Sequence, residues 1–578
     1  MWEEGASGDG SSNKAESKQH DALFSELMQE CKHSAPGARL SARLRTALER
    51  LRPEQRRGVV SRMRDGCAPL FVACKRGNVE IVEYLVHVCD AELEQRGVYE
   101  VADERSVHTV TPLWCAAVAG RLEVLRVLAD AGADVDAGSD SGSTPVRSAC
   151  FMTHEDVVRF LVARGADIHR PNHNGGTCLI NSVQSVRLCT FLLQHGAAVD
   201  ARDMQLKTAL HYAIQEHRVE TARLLLEAGA DPHLQSRAGD DALRTACLKG
   251  AAQIVTLLMS RVRYGAARAA DAYELLGATQ LDEFNDAHAA LAAWRRATCL
   301  RHARGAYAAK RPARPPRPAL GGAREWRSLA ELDAAATDMD ALRTQALLVA
   351  ERVLGPDHKD TVFRLMYRGA SYADAFRYQR CIDLWIWALQ IRIEKDTLLY
   401  TDTCHTACAL TRLMLDARLG RLERGRGLPR HEDVMAVFQL LATHLPLARD
   451  ALLQNPMHKK QPIFPSVEVV QLLLECGASA QTRNEARSTP LHVAAIHYNF
   501  STELVEALVR GGGHLDTPNR FGDCAAELVA LNRASRVRVL QHVSLRCCAA
   551  RALLRAGTVP PPGVLPATLE AFLDLHRA

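Results

Sequence analysis

The chain has 578 residues, 47% of them hydrophobic and 24% charged, and a net charge of +5. That length exceeds one hydrophobic core, so several domains or a repeat array are expected. So small a net charge does not mark a nucleic-acid binder. No apolar run approaches the ~20 residues of a membrane span, and Met1-Trp2-Glu3-Glu4 begins no signal peptide. The 17 cysteines are scattered without a CxxC pair and read as reduced, mostly buried thiols of a cytosolic or nuclear protein.

Residues 1–21, rich in Gly, Ser, Lys and Glu, read as disordered. From 22 to 263 a repeat dominates. Thr111-Pro112-Leu113-Trp114-Cys115-Ala116 recurs as Thr144-Pro145-Val146-Arg147-Ser148-Ala149, more weakly as Thr177-Cys178-Leu179, and as Thr208-Ala209-Leu210-His211-Tyr212-Ala213. Ala68-Pro69-Leu70 precedes the series and Asp241-Ala242-Leu243 ends it, while Gly-Ala-Asp or a near variant closes each unit. The second motif positions are 69, 112, 145, 178, 209 and 242. A period near 33 with this motif opening a helix is the ankyrin signature. Thr and the His slot bond across the turn, Pro occupies the first helical turn, Leu and Ala point inward, and Gly permits the left-handed helix end.

The first step, from 69 to 112, carries about ten extra residues within Glu94–Val110. They fall in the finger loop beside the concave face, where insertions shape binding pockets. The short step from 178 to 209 trims residues between the two helices near Val183–Val186.

From 264 to 452 helical periodicity replaces the motif, with amphipathic helices expected over Ala272–Leu300 and Leu342–Leu354. Between them the Pro-rich segment 310–324 cannot be helical and reads as a solvated basic spacer. Tyr372, Ala373, Trp385 and Ala388 suggest stacked tetratricopeptide-like hairpins whose aromatics fill the core. Cys404-His405 and Cys408 lack a second ligand pair, so no metal is assigned there. No phosphate-binding glycine loop and no marked nucleophile occur, so neither a catalytic residue nor a cofactor is assigned.

Ankyrin spacing returns over 453–540, most clearly in Thr489-Pro490-Leu491-His492-Val493-Ala494. The tail, 541–578, holds two helical patterns. Leu545, Ala549 and Leu553 share one face, two large residues flanking a small one, a shape that admits a partner helix. Leu565, Leu569 and Leu573 form a second stripe, with Pro566 in its first turn. Either pattern alone fits an amphipathic cap on the solenoid. In series at the C-terminus they resemble the elongin-binding box followed by the cullin-binding box of cullin-RING ubiquitin ligase receptors.

The expected fold is therefore all-α: an ankyrin solenoid, a central tetratricopeptide-like region and a helical tail. Taken in order, the ankyrin array, the middle segments Leu354-Gly355-Pro356-Asp357-His358 and Tyr367-Arg368-Gly369-Ala370-Ser371-Tyr372-Ala373-Asp374, the further ankyrins and the tail resemble the feminization-one (fem-1) family from roughly Pro69 onward. The resemblance implies a non-catalytic substrate receptor that works with elongin B/C, a cullin and a RING subunit, and whose ankyrin groove captures substrate C-termini, often ending in arginine. Residue by residue, it implies a pocket acid at Asp103, the pocket tryptophan at Trp114 and an aromatic at Phe151. A guanidinium needs a carboxylate fork and an aromatic face. Met152 stands where the family has a second acid and Glu104 where it has glycine, so the expected preference shifts toward a mixed or apolar terminus. Arg147, one turn from Phe151, is expected either to meet the terminal carboxylate or to pair with a neighbouring loop acid. The competing reading is an ankyrin scaffold with no part in ubiquitin transfer.

Overall fold

In the computed structural model, residues 9–576 are described apart from 36, 102–105, 304–306, 313–314, 397, 399, 419–429, 455–466, 476–477, 485, 497–499, 533–534, 544, 558–560 and 562–563. The chain divides into two compact units. The first comprises Met1–Ala313 with Glu325–Val349, the second Arg314–Arg324 with Ala350–Ala578.

The first unit is an all-α repeat solenoid. Its helix pairs begin at Pro69–Arg76 and Val79–His87, continue through Pro112–Val118 with Leu122–Asp130 and Pro145–Phe151 with Glu155–Ala163, and end at Ala242–Leu248 with Ala252–Arg261. Local chemistry sets each start. The Thr111, Thr144 and Thr177 hydroxyls accept from the backbone N–H three residues on, satisfying an orphan donor of the first turn. Gly132 and Gly165 end repeats at φ of 92° and 86°, a conformation that costs other residues strain. Inner helices bury Leu113, Ala116, Val146 and Ala149, while outer helices bury one stripe such as Val124, Leu125 and Leu128. Each buried leucine contributes about 1.5–3 kcal/mol. No repeat has a core of its own, so stacking supplies it.

Three local differences from the sequence reading have physical causes. A helix runs Asp9–His33, where residues to 21 were expected to be disordered; its C-terminal half is held by buried Phe24, Leu27, Met28 and Cys31, and Ala15, Glu16, Lys18 and Gln19 are good helix formers that extend it outward. The finger insertion is an antiparallel hairpin, Gly97–Val101 paired with Ser106–Val110 in the register Gly97 opposite Val110. The short step between repeats comes out of an inner helix, Cys178–Asn181, which has four residues where its neighbours have seven.

Beyond 263, the expected helix over Ala272–Leu300 is two, Ala266–Asp282 and Ala287–His302, because Asp286 caps the second. A buried ion pair joins them: Arg301 donates to both Glu274 oxygens at 2.7 and 2.8 Å. The basic linker is not a solvated spacer. In the first unit Lys310 pairs with Glu325 at 3.0 Å and stands 3.8 Å from the Trp326 ring centre. In the second, Arg317 pairs with Glu351 at 2.6 Å and lies over Trp387. A half-buried cation that has lost water needs such partners.

The second unit packs Lys359–Asp374 against Tyr378–Asp396, with Tyr372 and Ala388 buried between hairpins and the Trp385 indole N–H donating to the Met366 carbonyl at 3.0 Å. The returning ankyrin helices include Val467–Glu475, Pro490–Ala494, Thr502–Arg510 and Ala525–Leu531, around a core of Leu491, Leu504, Val505, Leu508 and Val529. Two tail helices follow, Leu545–Arg555 and Ala567–Leu575. No described helix is long and apolar enough to cross a membrane.

Candidate functional site

In four of the repeats the fourth position of the motif makes one recurring bond to the next repeat. Where the motif has histidine, His211 Nε2 donates to the Asp240 carbonyl at 3.1 Å and His492 Nε2 to that of Asp523 at 3.0 Å. Their Nδ1 atoms accept from the N–H groups of Thr208 and Thr489, so each ring holds the neutral tautomer. In the second repeat the slot holds Trp114, whose Nε1 donates to the Ser143 carbonyl at 2.9 Å. In the third it holds Arg147, whose Nε donates to the Gly176 carbonyl at 2.9 Å. Two sequence-predicted site residues are thus first of all rungs between repeats.

Trp114 is 5% exposed, within the base of the finger. Its ring meets Tyr99 of the hairpin edge-on at 5.6 Å, in a cluster with Phe71, Val110 and Val118. It supports the finger rather than presenting an open aromatic face. Asp103 lies outside the described residues.

Arg147 and Phe151 do come together. They sit one turn apart on Pro145–Phe151 and line a cleft of about 320 Å³ with Asn172, Asn174, Asn181, Asp203, Tyr212 and Glu216. The cleft lies along the third to fifth repeats, further along the array than the finger. Arg147 Nη1 donates to Ser143 Oγ at 2.7 Å, and no carboxylate of the described residues pairs with the guanidinium. Burial lowers its pKa from the ordinary arginine value. Gly176 makes room for it, because a Cβ there would stand 2.8 Å from Nη2. Phe151 is 62% exposed and Met152 43%, an open apolar shelf beside the cation.

The opposite wall is acidic and well ordered by hydrogen bonds. Asp203 Oδ1 accepts from the N–H groups of Gln205 and Lys207 at 2.8 Å, and Oδ2 accepts from the Tyr212 hydroxyl at 2.6 Å. Burial, then this hydrogen bond, raise the Tyr212 pKa. Exposed Glu216 completes that side. An extended chain with an anionic end at Arg147 and a donor or cationic group toward Asp203 and Glu216 suits this polarity. The sequence reading missed this wall. Its only signal was the shared loop slot of Asn172 and Asp203, in which each N–H bonds to the carbonyl four residues on, Gly176 and Lys207.

In the tail, Ala549 and 39%-exposed Leu553 face outward, while the Leu545 side chain lies outside what is described. The second helix starts at Ala567, with exposed Pro566 as its cap and Leu565 before it; a residue preceding proline is driven to extended backbone. The stripe expected from Leu565 is therefore helical only at Leu569, half-buried, and Leu573, 6% exposed. Leu573 is packed within the second unit.

Three copies of the family model "Ankyrin repeats (3 copies)" match residues 40–139, 98–172 and 166–236. Over 619 residues the chain is 32% identical to protein fem-1 homolog A-A of Mus musculus, covering 88% of this chain and 94% of that protein. It is 31% identical to protein fem-1 homolog A of Homo sapiens, covering 93% and 97%. It is also 32% identical to protein fem-1 homolog C of Danio rerio, covering 58% and 65%.

Proposed function

The chain belongs to the fem-1 family, and we propose that it is the non-catalytic substrate-recognition subunit of a cullin-RING E3 ubiquitin ligase. In this reading the ankyrin groove binds the C-terminal end of a target protein, while the tail docks elongin B/C through Leu545, Ala549 and Leu553 and a cullin with its RING subunit through Leu565, Pro566, Leu569 and Leu573. Transfer chemistry belongs to partner subunits, and this chain contributes proximity and orientation. No cofactor enters.

The observation that carries the reading is Arg147, a half-buried cation with no carboxylate partner among the described residues, opening into a cleft beside exposed Phe151. A peptide's terminal carboxylate supplies the missing anion. Phe151 and Met152 favour an apolar or mixed residue next to it, and the family resemblance assigns Asp103 to a basic side chain. One observation favours the competing scaffold reading: Leu573 is buried, as in a helical cap. Recovery of the intact chain from cells separates the two. Elongin C and cullin should accompany it and be lost when Leu545 and Leu553 are changed to Asp; a chain that never recovers either subunit is a scaffold.

A further inference from the structure

Within the second unit the metal-ligating side chains of His514, Asp516 and Cys547 come together, and a fourth, His576, reaches Asp516. His514 and Asp516 sit in the loop after Thr502–Arg510, Cys547 in the first tail helix, and His576 just past the second. The ligating atoms of His514, Asp516 and Cys547 all lie within 4.8 Å of one another. Asp516 and Cys547 are buried and His514 half-buried.

The contact between His576 and Asp516 poses a chemical question. His576 Nδ1 is 2.8 Å from the Phe572 carbonyl, which can only accept, so Nδ1 carries the proton. In the neutral ring Nε2 is then a bare lone pair. Yet Nε2 stands 2.9 Å from Asp516 Oδ2, also an acceptor, with both side chains at 1% exposure or less. A cation must lie between two such acceptors: a second proton or a metal ion.

The neighbours favour a metal. Cys547 Sγ is 3.8 Å from His514 Nδ1, and tetrahedral zinc with its usual bond lengths holds sulfur and nitrogen ligands about 3.5 Å apart. The same geometry sets nitrogen and oxygen ligands about 3.3 Å apart, so a bound ion would part His576 Nε2 and Asp516 Oδ2 from their present 2.9 Å. A ligating histidine ordinarily donates its other ring N–H to a carbonyl or carboxylate, as His576 does to Phe572. Thiolate and imidazole together suit zinc better than calcium or magnesium. We propose that His514, Asp516, Cys547 and His576 form a structural zinc site that fastens both tail helices to the last ankyrin repeat.

The test uses the full-length chain purified without chelator. Elemental analysis should find one zinc per chain. Replacement by Co²⁺ should give a near-ultraviolet thiolate-to-cobalt charge-transfer band and intense visible bands of tetrahedral geometry. Cys547→Ser should abolish the near-ultraviolet band and weaken zinc binding by more than about 100-fold, whereas Cys404→Ser should change neither. His514→Ala, at the half-exposed edge of the cluster, provides a second variant should Cys547→Ser fail to fold. A wild-type chain without stoichiometric zinc that takes up no Co²⁺ overturns the proposal, as does a band that survives Cys547→Ser. In either case His576 is an imidazolium in a proton-bridged pair, visible as an Nε2 proton resonance.

Discussion

Replacing Arg147 with histidine separates its two roles. Histidine is the motif's own residue in this slot, and His211 and His492 show that it makes the rung to the next repeat. In Arg147→His the imidazole Nε2–H should donate to the Gly176 carbonyl as the guanidinium Nε does now at 2.9 Å. Only the bond from Nη1 to Ser143 Oγ is lost, and that hydroxyl keeps Ser141 Oγ at 3.1 Å. The stability cost should therefore stay below about 1 kcal/mol. The permanent charge and the remaining N–H groups vanish, however. A charge-assisted bond to a terminal carboxylate contributes roughly 1.5–3 kcal/mol, so affinity for a free-acid C-terminal peptide should fall by about 10- to 150-fold. Fluorescence polarisation with paired free-acid and amidated peptides from a C-terminal library gives the readout, alongside thermal unfolding. The wild type should discriminate the pair and Arg147→His should not. If the variant keeps the full discrimination, the carboxylate does not meet Arg147; if it unfolds, the slot is not interchangeable.

Gly176→Ala should push the guanidinium from its seat, since the new Cβ would meet Nη2 at 2.8 Å; a loss of about 1–3 kcal/mol in peptide affinity or stability is expected, and a neutral result in both assays refutes the packing argument. Leu553→Asp, at an outward-facing position, should leave the circular dichroism spectrum unchanged while removing about 2–3 kcal/mol of elongin binding; global unfolding would mark the helix as a cap. Burial, above all, lowers the pKa of His211 and His492 below the usual histidine range, so the unfolded chain binds their protons first. Their stabilisation is then complete above the unfolded value of about 6.5 and is lost as pH falls through the lowered folded values. The melting temperature should drop on acidification toward pH 5, less steeply in His211→Gln; an identical slope in that variant would remove histidine from the explanation.

The parts of this fold that were legible are those written in adjacent residues. Thr111 and Thr144 announce helix starts because cap, proline and an inward aliphatic residue lie within one turn. The finger was visible as an excess over the repeat period, but its strands were not: Val98-Tyr99-Glu100 and Val107-His108-Thr109 are too short for alternation to outweigh an ankyrin background. The lysine and arginine of the linker looked solvated because their partners, Glu274, Glu325 and Glu351, are remote in sequence or ambiguous within it. The acidic wall of the cleft stayed hidden for a related reason. Asp203 and Tyr212 read as ordinary loop and helix residues until stacking sets them opposite Arg147. His514, Asp516, Cys547 and His576 span more than sixty positions, and no spacing rule reaches that far.

The fourth repeat breaks the ladder of rungs, for its slot holds Ile180, an aliphatic side chain with no donor. Stability in a solenoid is nearly a sum of unit terms and couplings between neighbours, as in a linear chain of spins. A weak coupling at one joint lets the blocks on either side melt semi-independently, and here the same unit also has the shortest inner helix, Cys178–Asn181. Amide exchange should therefore begin at this joint, and denaturant should part the array there before either block collapses. The cleft straddles the joint, with walls from Asn172 to Gln184 on one side and from Asp203 to Glu216 on the other. Anything bound in it acts as a splint, restoring cooperativity where the chain omitted it, so occupancy should sharpen the unfolding transition as well as raise its midpoint.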